Sequence, residues 1–300
     1  MEQIIDLSKF INPNLFNGEL METKQRLSEK QMGFFDAFGY LHFPNLLDDK
    51  IDKIIEEFEL IWKKSNQNHD GTKRSVILPF ADQSEYLCSL LDDPRIHDIA
   101  SSICGEEFNY TSGDGNYYVG DTNWHSDGYG TRPVLTIKIA FYLDKVTASS
   151  GALRVIPGSH KKGSYFADSL QNHLIGDKDT PSDLFGLNGD EIPAIPLETN
   201  PGDVTVFNHS LKHSSWGGSN ARRMFTMNFT ETFQDDQLEE LRSILGQEAR
   251  FWIDRIHGEI MVDTASEERM THLKQVMEND THLAELTKEL KKTMSEPARG

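Results

Sequence analysis

Residues 201–213, PGDVTVFNHSLKH, decide how this chain folds. A Gly-Asp turn leads into the apolar run 204–207, and the segment ends at His213. A Gly-rich turn follows, and the next strand-like run opens with Arg222. Short β runs separated by Gly, Pro, Asn and Asp are typical of a sandwich or barrel. The stretch therefore predicts two neighbouring strands of a jelly roll, with a histidine ending the first segment and an arginine opening the second.

The same pattern extends around this stretch, from residue 108 to residue 233. We predict strands over residues 109–119, 134–143, 153–156, 204–207 and 224–229. Within 134–143, alternate residues share a face of the strand. The apolar face carries Leu135, Ile137, Ile139 and Phe141, and the other face carries Thr136, Lys138, Ala140 and Tyr142. The apolar face is expected to pack into a core, and the other face is expected to border polar surroundings.

Helical patterns occupy both ends of the chain. Apolar residues recur at helical spacing in the segments 23–38, 48–64, 84–104, 235–245 and 267–294. The last segment mixes Glu and Lys, as a solvated or oligomer-facing helix does. We predict an α+β fold in which N- and C-terminal helices flank a double-stranded β-helix, a jelly-roll or cupin-like core. One domain over residues 1–300 would comprise a helical N-terminal region (residues 1–107), the core (residues 108–233) and a helical C-terminal extension (residues 234–300).

The amino-acid composition of the chain limits the kinds of partner that it is expected to bind. The 30 basic and 48 acidic residues give a net charge of -18, which repels nucleic acid and acidic membranes. Cys88 and Cys104 are too few for a disulfide framework and read as buried thiols in a reducing compartment. We find no signal-peptide pattern and no apolar stretch of membrane-spanning length. We expect a cytoplasmic protein with a small-molecule substrate and no obligatory protein partner.

The run TNWHSDG, residues 122–128, contains His-x-Asp at the edge of a predicted strand. Residues i and i+2 of a strand point to the same side, so His125 and Asp127 converge. An imidazole and a carboxylate are two of the three ligands of a 2-His-1-carboxylate site, which leaves one face of an octahedral metal open. A bare His-x-Asp also occurs by chance in exposed turns, so this motif alone does not identify a metal site.

A third ligand and an anion-binding group are available downstream. His209 and His213 compete for the ligand position, because four extended residues span ~13 Å and both cannot bind one ion. Arg222 and Arg223 compete for the second role, because adjacent strand residues face opposite ways. A guanidinium grips a carboxylate with two parallel hydrogen bonds, which an ammonium does less specifically.

With GALRVIPGSHK at residues 151–161, these motifs resemble the phytanoyl-CoA dioxygenase family of Fe(II)- and 2-oxoglutarate-dependent oxygenases. The resemblance runs from about residue 34 to residue 229 and rests on the order of several motifs. It implies that Fe(II) is bound by His125, Asp127 and His213, the last at the family's spacing of eleven residues after the Gly of the Gly-Asp turn. It also implies that Arg222, in preference to Arg223, pairs with the distal carboxylate of 2-oxoglutarate.

The resemblance implies a reaction in which O2 and 2-oxoglutarate are consumed, succinate and CO2 are released, and a substrate C–H bond is oxidised. We expect hydroxylation of a small polar metabolite. Desaturation and oxidative cyclisation in natural-product biosynthesis use the same cofactors and stay alternatives. Asp127 argues against halogenation, because halogenating relatives carry a small residue there. Other classes are a non-oxidative cupin-type metal protein and a scaffold that keeps only the fold. Zinc sites do not require an inward arginine, so Arg222 disfavours the former.

Further site residues are expected around the metal motifs. Thr136 and Lys138, on the polar face of their strand, are candidates for contact with 2-oxoglutarate. Candidates for a substrate pocket are Asn116, Tyr118, Trp124, Tyr129, Arg132, Arg154, Trp216 and Arg223. Of these, Arg132, Arg154 and Arg223, together with Lys138, offer contacts for a carboxylate or phosphonate. His160, which ends the Pro-Gly-Ser-His turn, is expected to be structural.

Overall fold

The computed structural model describes residues 26–65, 67–174 and 186–299. Its strands, in chain order, are β1 (Tyr40–Phe43), β2 (Ser75–Ile77), β3 (Asn109–Tyr110), β4 (Gly115–Tyr118), β5 (Thr122–His125), β6 (Thr136–Tyr142), β7 (Leu153–Val155), β8 (Ile195–Leu197), β9 (Val204–Asn208), β10 (His213–Ser215) and β11 (Arg222–Thr230). Its α-helices are α1 (Glu29–Phe38), α2 (Ile51–Lys64), α3 (Glu85–Cys88), α4 (Pro94–Cys104), α5 (Tyr165–His173), α6 (Leu238–Gly246), α7 (Glu259–Asp263), α8 (Glu267–Asn279) and α9 (Leu283–Thr293). Among the described residues no helix is both long and apolar enough to cross a membrane.

The strands form two antiparallel sheets. The larger has the order β1-β9-β6-β11-β4-β2, with β3 also paired to β11, and the smaller has the order β5-β10-β7-β8. Consecutive strands alternate between the sheets along much of the core, which is the double-stranded β-helix that the sequence predicted. The α+β fold class with flanking helices is confirmed.

Strand β6 lies near the middle of the larger sheet and separates two environments. Ile137, Ile139 and Phe141 are buried in the main core, which also contains the apolar stripes of α2 and α4. Ala140 and Tyr142 belong to a second apolar cluster shared with strands of the smaller sheet. The alternation in sequence thus places the helices on one side of the larger sheet and the inside of the jelly roll on the other.

The N-terminal region of the chain contributes to the larger sheet as well as to the helical layer. β1 pairs with β9, and β2 pairs with β4. These pairings support the proposal that residues 1–300 form one domain built from the segments 1–107, 108–233 and 234–300. Residues 1–25, with the predicted helix start at residue 23 and the N-terminus without a signal-peptide pattern, lie outside the described residues.

Several predicted elements differ from the observed ones, each for a local reason. The first helix begins at Glu29, because the Ser28 side chain caps it by accepting from the Gln31 amide. The predicted helix over 84–104 is divided into α3 and α4, and Asp93 caps the second, whose first residue is Pro94. The predicted strand over 109–119 is interrupted at Ser112, which has a positive φ of 74°.

The predicted long C-terminal helix is likewise two helices, α8 and α9. They are separated at Asp280, a fully buried carboxylate that accepts hydrogen bonds from the Ile256 amide and from Nε of Arg255. Strands β2, β8 and β10, of three residues each, were not predicted.

Replacing Gly115 in β4 by alanine should destabilise the fold. A Cβ built there lies 1.9 Å from Cδ2 of Phe80, whose ring is fully buried. Overpacking of a core typically costs about 1–3 kcal/mol, so the unfolding free energy in urea should fall by that amount. Gly33→Ala in α1 is the matched control, because nothing lies within 4 Å of its Cβ and alanine favours a helix by roughly 0.5–1 kcal/mol. Equal effects of the two substitutions would contradict this packing.

Candidate active site

Three potential metal ligands converge at one end of the jelly roll. His125 ends β5, Asp127 follows two residues later, and His213 opens β10 directly opposite His125. One ligand atom from each of the three lies within 4.8 Å of the others. Nε2 of His125 is 3.7 Å from Oδ1 of Asp127, and Nε2 of His213 is 3.9 Å from Oδ2. These separations suit two nitrogens and one oxygen that bind a single ion.

Backbone carbonyls orient both imidazoles. Nδ1 of His125 lies 2.7 Å from the carbonyl oxygen of Asn123, and Nδ1 of His213 lies 2.8 Å from that of Leu211. A carbonyl only accepts, so Nδ1 carries the proton in both rings. The lone pair of each neutral ring is then on Nε2, the atom that faces Asp127.

The charge state of the three groups also suits metal binding. Burial and the neighbouring His125 ring lower the pKa of His213 to about 3, and burial lowers the pKa of His125. Burial alone would raise the pKa of Asp127, but the Lys138 ammonium, with its Nζ 2.7 Å from Oδ2, and the surrounding histidines hold it well below its ordinary value. At neutral pH the site therefore presents two neutral nitrogens and one anionic oxygen, the donor set of non-haem iron centres.

His209, the competing histidine, has a different position. Its Nε2 lies 3.1 Å from Oδ1 of Asn228, and it lies outside the metal-ligand cluster that the described residues form. Its backbone carbonyl accepts from the amides of Asp127, at 2.8 Å, and Gly128, at 3.1 Å. His209 thus shapes the metal-binding loop through its main chain.

Arg222 at the start of β11 lies inside the jelly roll. Its side chain is 4% exposed, Nη2 donates to Oγ of Ser215 at 2.9 Å, and Cζ lies 5.1 Å from the centre of the Tyr118 ring. Nε and Nη1 are buried without a hydrogen-bond partner. Unmet donors on a buried cation are unfavourable until an anion accepts from them. The arrangement fits a ligand carboxylate bound by two hydrogen bonds.

Two glycines make the space for this guanidinium. A Cβ on Gly151 would lie 1.7 Å from Nη1 of Arg222, and one on Gly218 would lie 2.4 Å from the same atom. Arg223 faces the opposite way, where Nη2 lies 2.6 Å from Oδ1 of Asp144 and Nη1 lies 2.7 Å from Oε1 of Glu59. The inward arginine is therefore Arg222.

A cavity of about 420 Å³ contains the three ligands and Arg222. This volume is within the range of small-molecule sites, roughly 300–1,000 Å³. Leu153, Phe207 and Met224 supply apolar wall inside the jelly roll. The far wall comes from the C-terminal extension, with Ile244 and Leu245 of α6 and residues 247, 248, 250 and 251 of the following 3-10 helix.

Besides Arg222, three of the predicted cosubstrate and substrate contacts line this cavity, namely Tyr118, Arg132 and Lys138. The others are not among its described lining residues: Asn116, Trp124, Tyr129, Thr136, Arg154, Trp216 and Arg223. Trp124 is buried in a separate apolar cluster with Ile156 and donates to the carbonyl of Gly189. Arg154 donates to the carbonyls of Asp190 and Ala148. These side chains complete loops on the outside of the smaller sheet.

The remaining residues of that group are also engaged elsewhere. Asn116 accepts from Nε of Arg74, and the Thr136 hydroxyl donates to the carbonyl of Val134. The Tyr129 hydroxyl donates to Asp168, and Trp216 donates to Ser214, two residues earlier. His160, predicted to be structural, has Nε2 3.2 Å from the carbonyl oxygen of Asp36.

Sequence reasoning missed several wall residues. Arg74 and Asp114 form an ion pair at 2.6 Å, and Cζ of Arg74 lies 4.5 Å from the Tyr118 ring on the cavity wall. Glu248 and Arg250 lie in the segment assigned only to a helical extension. The turn Gly113-Asp114-Gly115 offered a weak signal for Asp114. Nothing in the local pattern indicated that residues 247–251 reach the jelly roll.

Comparison with known proteins agrees with the expected family. The family model described as phytanoyl-CoA dioxygenase (PhyH) matches residues 35–225, more than half of the chain, and this range contains the three potential ligands and Arg222. The predicted resemblance is confirmed. No curated protein sequence matches the chain significantly.

Solved structures share the fold at low sequence identity. The non-heme α-ketoglutarate-dependent carbocyclase SnoK from nogalamycin biosynthesis has a TM-score of 0.53 and 21% identity, and the match covers 70% of this chain and 86% of SnoK. EctD from S. alaskensis with 2-oxoglutarate and 5-hydroxyectoine has a TM-score of 0.53 and 20% identity, with 74% and 81% covered. HygX from Streptomyces hygroscopicus with nickel and 2-oxoglutarate has a TM-score of 0.53 and 16% identity, with 69% and 88% covered.

His213→Ala should abolish tight binding of one divalent ion. Loss of an outer hydrogen-bond partner already lowers metal affinity roughly 10–100-fold, and loss of a direct ligand should exceed that. The dissociation constant for Fe(II) or Co(II), measured by anaerobic titration, tests this. His209→Ala is the matched control and should keep the wild-type affinity within a few-fold, because its main chain, which holds the loop, is unchanged. A larger loss of metal affinity in His209→Ala than in His213→Ala would show that His209, and not His213, is the ligand.

The metal affinity of the site should also depend less on pH than that of two histidines with ordinary pKa values. Because the pKa of His213 is lowered to about 3 and that of His125 is lowered too, both rings stay neutral as the pH falls through the ordinary histidine value of 6.5. His213 should show no proton competition between pH 7 and pH 5, and competition at His125 should begin only below its ordinary value of 6.5, so the Co(II) dissociation constant should change less than for two histidines of ordinary pKa. A steep weakening of affinity centred near pH 6.5 would show that the rings are accessible to water and protonated there.

Proposed function

The chain belongs to the phytanoyl-CoA dioxygenase (PhyH) family, and from that membership we propose that it is an Fe(II)- and 2-oxoglutarate-dependent dioxygenase that hydroxylates a C–H bond of a small polar metabolite. The observation that carries the proposal is the position of Arg222. A buried guanidinium with two unmet donors shares one cavity with two imidazoles and a carboxylate that suit a single metal ion.

The residues of the cavity fit both cofactors. His125, Asp127 and His213 would hold Fe(II), and Arg222 would pair with the distal carboxylate of 2-oxoglutarate. Lys138 lines the same cavity and stays a candidate for a second contact to 2-oxoglutarate. When bound, Fe(II) would activate O2, which is the oxidant, and 2-oxoglutarate would be consumed with release of succinate and CO2.

The chain itself orients the metal ligands and keeps the carboxylate among them ionised. Lys138 keeps Asp127 ionised and fixes the direction of its Oδ2, while the carbonyls of Asn123 and Leu211 fix the two rings. Ligands held in this way need little rearrangement when a metal binds. Leu153 of β7, Phe207 of β9 and Met224 of β11 place apolar side chains beside these groups, and a less polar surrounding strengthens charged contacts.

The alternatives are less well supported. A non-oxidative cupin-type metal protein has no need for an inward guanidinium, and a scaffold that keeps only the fold has no need for ligand atoms within bonding reach of one ion. Desaturation and oxidative cyclisation would use the same groups. Hydroxylation is proposed because it requires no additional residue beyond those that hold the metal and the cosubstrate.

We also propose that the enzyme works in the cytoplasm on a free small molecule, without a nucleic-acid, membrane or obligatory protein partner. The net charge of -18 disfavours polyanionic partners. Both cysteines are buried free thiols, and burial, together with nearby acidic groups such as Asp82, raises the pKa of Cys88 to about 12, which keeps it protonated and unreactive.

Arg222→Ala should weaken 2-oxoglutarate binding. Hydrogen bonds to a charged group contribute about 1.5–3 kcal/mol, which corresponds to roughly a ten- to hundredfold loss of affinity. Wild type mixed anaerobically with Fe(II) and 2-oxoglutarate should show a weak visible charge-transfer band, and the titration of that band gives the affinity. Arg223→Ala, an adjacent outward arginine, is the matched control and should titrate as wild type does. Absence of the band and of succinate release in wild type would refute the proposed function.

A further inference from the structure

Some charged side chains on the cavity wall have an ion-pair partner, and others have none among the described residues. Arg74 is paired with Asp114 at 2.6 Å, and Lys138 with Asp127 at 2.7 Å. Arg222 is assigned to the cosubstrate. The charged side chains left over among the described lining residues are Arg132, Glu248 and Arg250. These three line the cavity and have no ion-pair partner among the described residues.

Arg132 is folded back against the metal-binding loop. A Cβ on Gly128 would lie 2.8 Å from both Cδ and Nε of Arg132, so the arginine stem lies directly on the residue that follows Asp127. The amide of Thr131 donates to the carbonyl of Gly128 and closes this turn. Nε of Arg132 is buried without a hydrogen-bond partner, and the side chain has no ion pair with any described residue. A cation with an unmet donor thus lies beside the metal ligands.

Glu248 is the opposite charge on the far wall. It lies in the 3-10 helix Gln247–Phe251, and no described residue forms an ion pair with it. Burial raises its pKa, although the charges of Arg250 and Arg132 oppose that rise. Arg250 itself is exposed and stacks over Phe251, with Cζ 4.8 Å from the ring centre. Arg250 is therefore at the mouth, and Glu248 faces the interior without a counterion in contact.

Arg132 and Glu248 interact across the cavity without touching. The charge of Asp127 and, after it, that of Glu248 act on Arg132, and the charges of Arg250 and Arg132 act on Glu248, but Arg132 and Glu248 do not form an ion pair. Both residues are half-buried on the wall of one cavity. A neutral ligand that fills the space between them would displace water from both charges without replacing it, and a ligand with one charge would leave the other unmet, which is unfavourable in either case. A ligand with both charges satisfies both groups at once.

We propose that the substrate is a zwitterion of the amino-acid class, whose carboxylate is bound by Arg132 and whose ammonium group is bound by Glu248. The proposal rests on the proposed function, since it fills the region of the cavity that the cosubstrate leaves open. Glu248 and Arg132 then determine specificity, and neither belongs to the metal or cosubstrate contacts.

The test uses the charge-transfer band of the full chain with Fe(II) and 2-oxoglutarate under anaerobic conditions. Each of the twenty common L-amino acids is added, and perturbation of the band reports binding next to the metal. For those that bind, the analogue lacking the amino group and the analogue lacking the carboxylate are compared. We expect the amino acid to bind at least about tenfold more tightly than either analogue, as loss of a hydrogen bond to a charged group predicts.

Two substitutions separate the two ends of the ligand. Glu248→Gln should weaken amino-acid binding roughly ten- to hundredfold and leave the analogue without an amino group unaffected. Arg132→Gln should weaken the amino acid to a similar extent and leave the amine analogue unaffected. Glu240→Gln and Arg242→Gln, exposed positions on α6, are the matched controls and should behave as wild type does. Formation of the band by each variant before addition shows that it is folded.

The outcomes distinguish the two proposals. If wild type forms no band, the proposed function fails. If the band forms but no amino acid perturbs it, or an analogue with one charge binds as tightly, the zwitterion inference is wrong while the oxygenase proposal stands. Glu248→Gln with unchanged preference for the amino acid would also overturn the inference.

Discussion

The antiparallel pairing of β5 with β10 is the constraint on which the site depends. Its register sets His213 opposite His125, and the two ring centres lie 4.1 Å apart. Opposite residues of an antiparallel pair have their Cβ atoms ~4.5–5.5 Å apart, so both imidazoles reach one ion without unusual side-chain conformations. A slip of one residue would turn one of the rings to the other face of the sheet. The amide of Asp127 bonds to the carbonyl of His209, which ties the third ligand to the segment leading into β10.

This geometry places two imidazoles and a carboxylate close together, and the electrostatics of the site result from it. His213 is buried and His125 is half-buried, and the two imidazoles lie in contact, which disfavours a proton on either and leaves both free to donate electron pairs. The single carboxylate among them is kept ionised by Lys138. A divalent ion adds attraction to all three groups and displaces no proton. Metal binding should therefore be coupled to the stability of this end of the jelly roll, since an ion that binds only the folded chain stabilises it.

The alternation of residues along the strands made much of the site predictable from the sequence. Prediction failed for side chains in loops and in a short 3-10 helix, where the sequence has no repeating pattern. The two faces of β6 and the inward direction of Arg222 result from alternation, given the order of the motifs. The same rule would have excluded Trp124, which is adjacent to His125 on β5 and therefore faces the other way. Arg132 lies in a loop without a repeating pattern, and only the close approach to Gly128 shows its direction. Glu248 lies on a 3-10 helix far along the chain, and its position depends on tertiary packing alone.

The tertiary packing that places Glu248 has its own polar anchors. The carboxylate of Asp82 accepts from the Gly258 amide and the Tyr110 hydroxyl, and the Thr287 hydroxyl donates to the carbonyl of Ile253. These bonds hold the segment after α6 against the core. Glu248 lies beyond residues 35–225, the range shared with the family, whereas all three potential metal ligands lie inside it. The range that matches the family thus contains the potential metal ligands, and the proposed substrate contact at Glu248 lies outside that match.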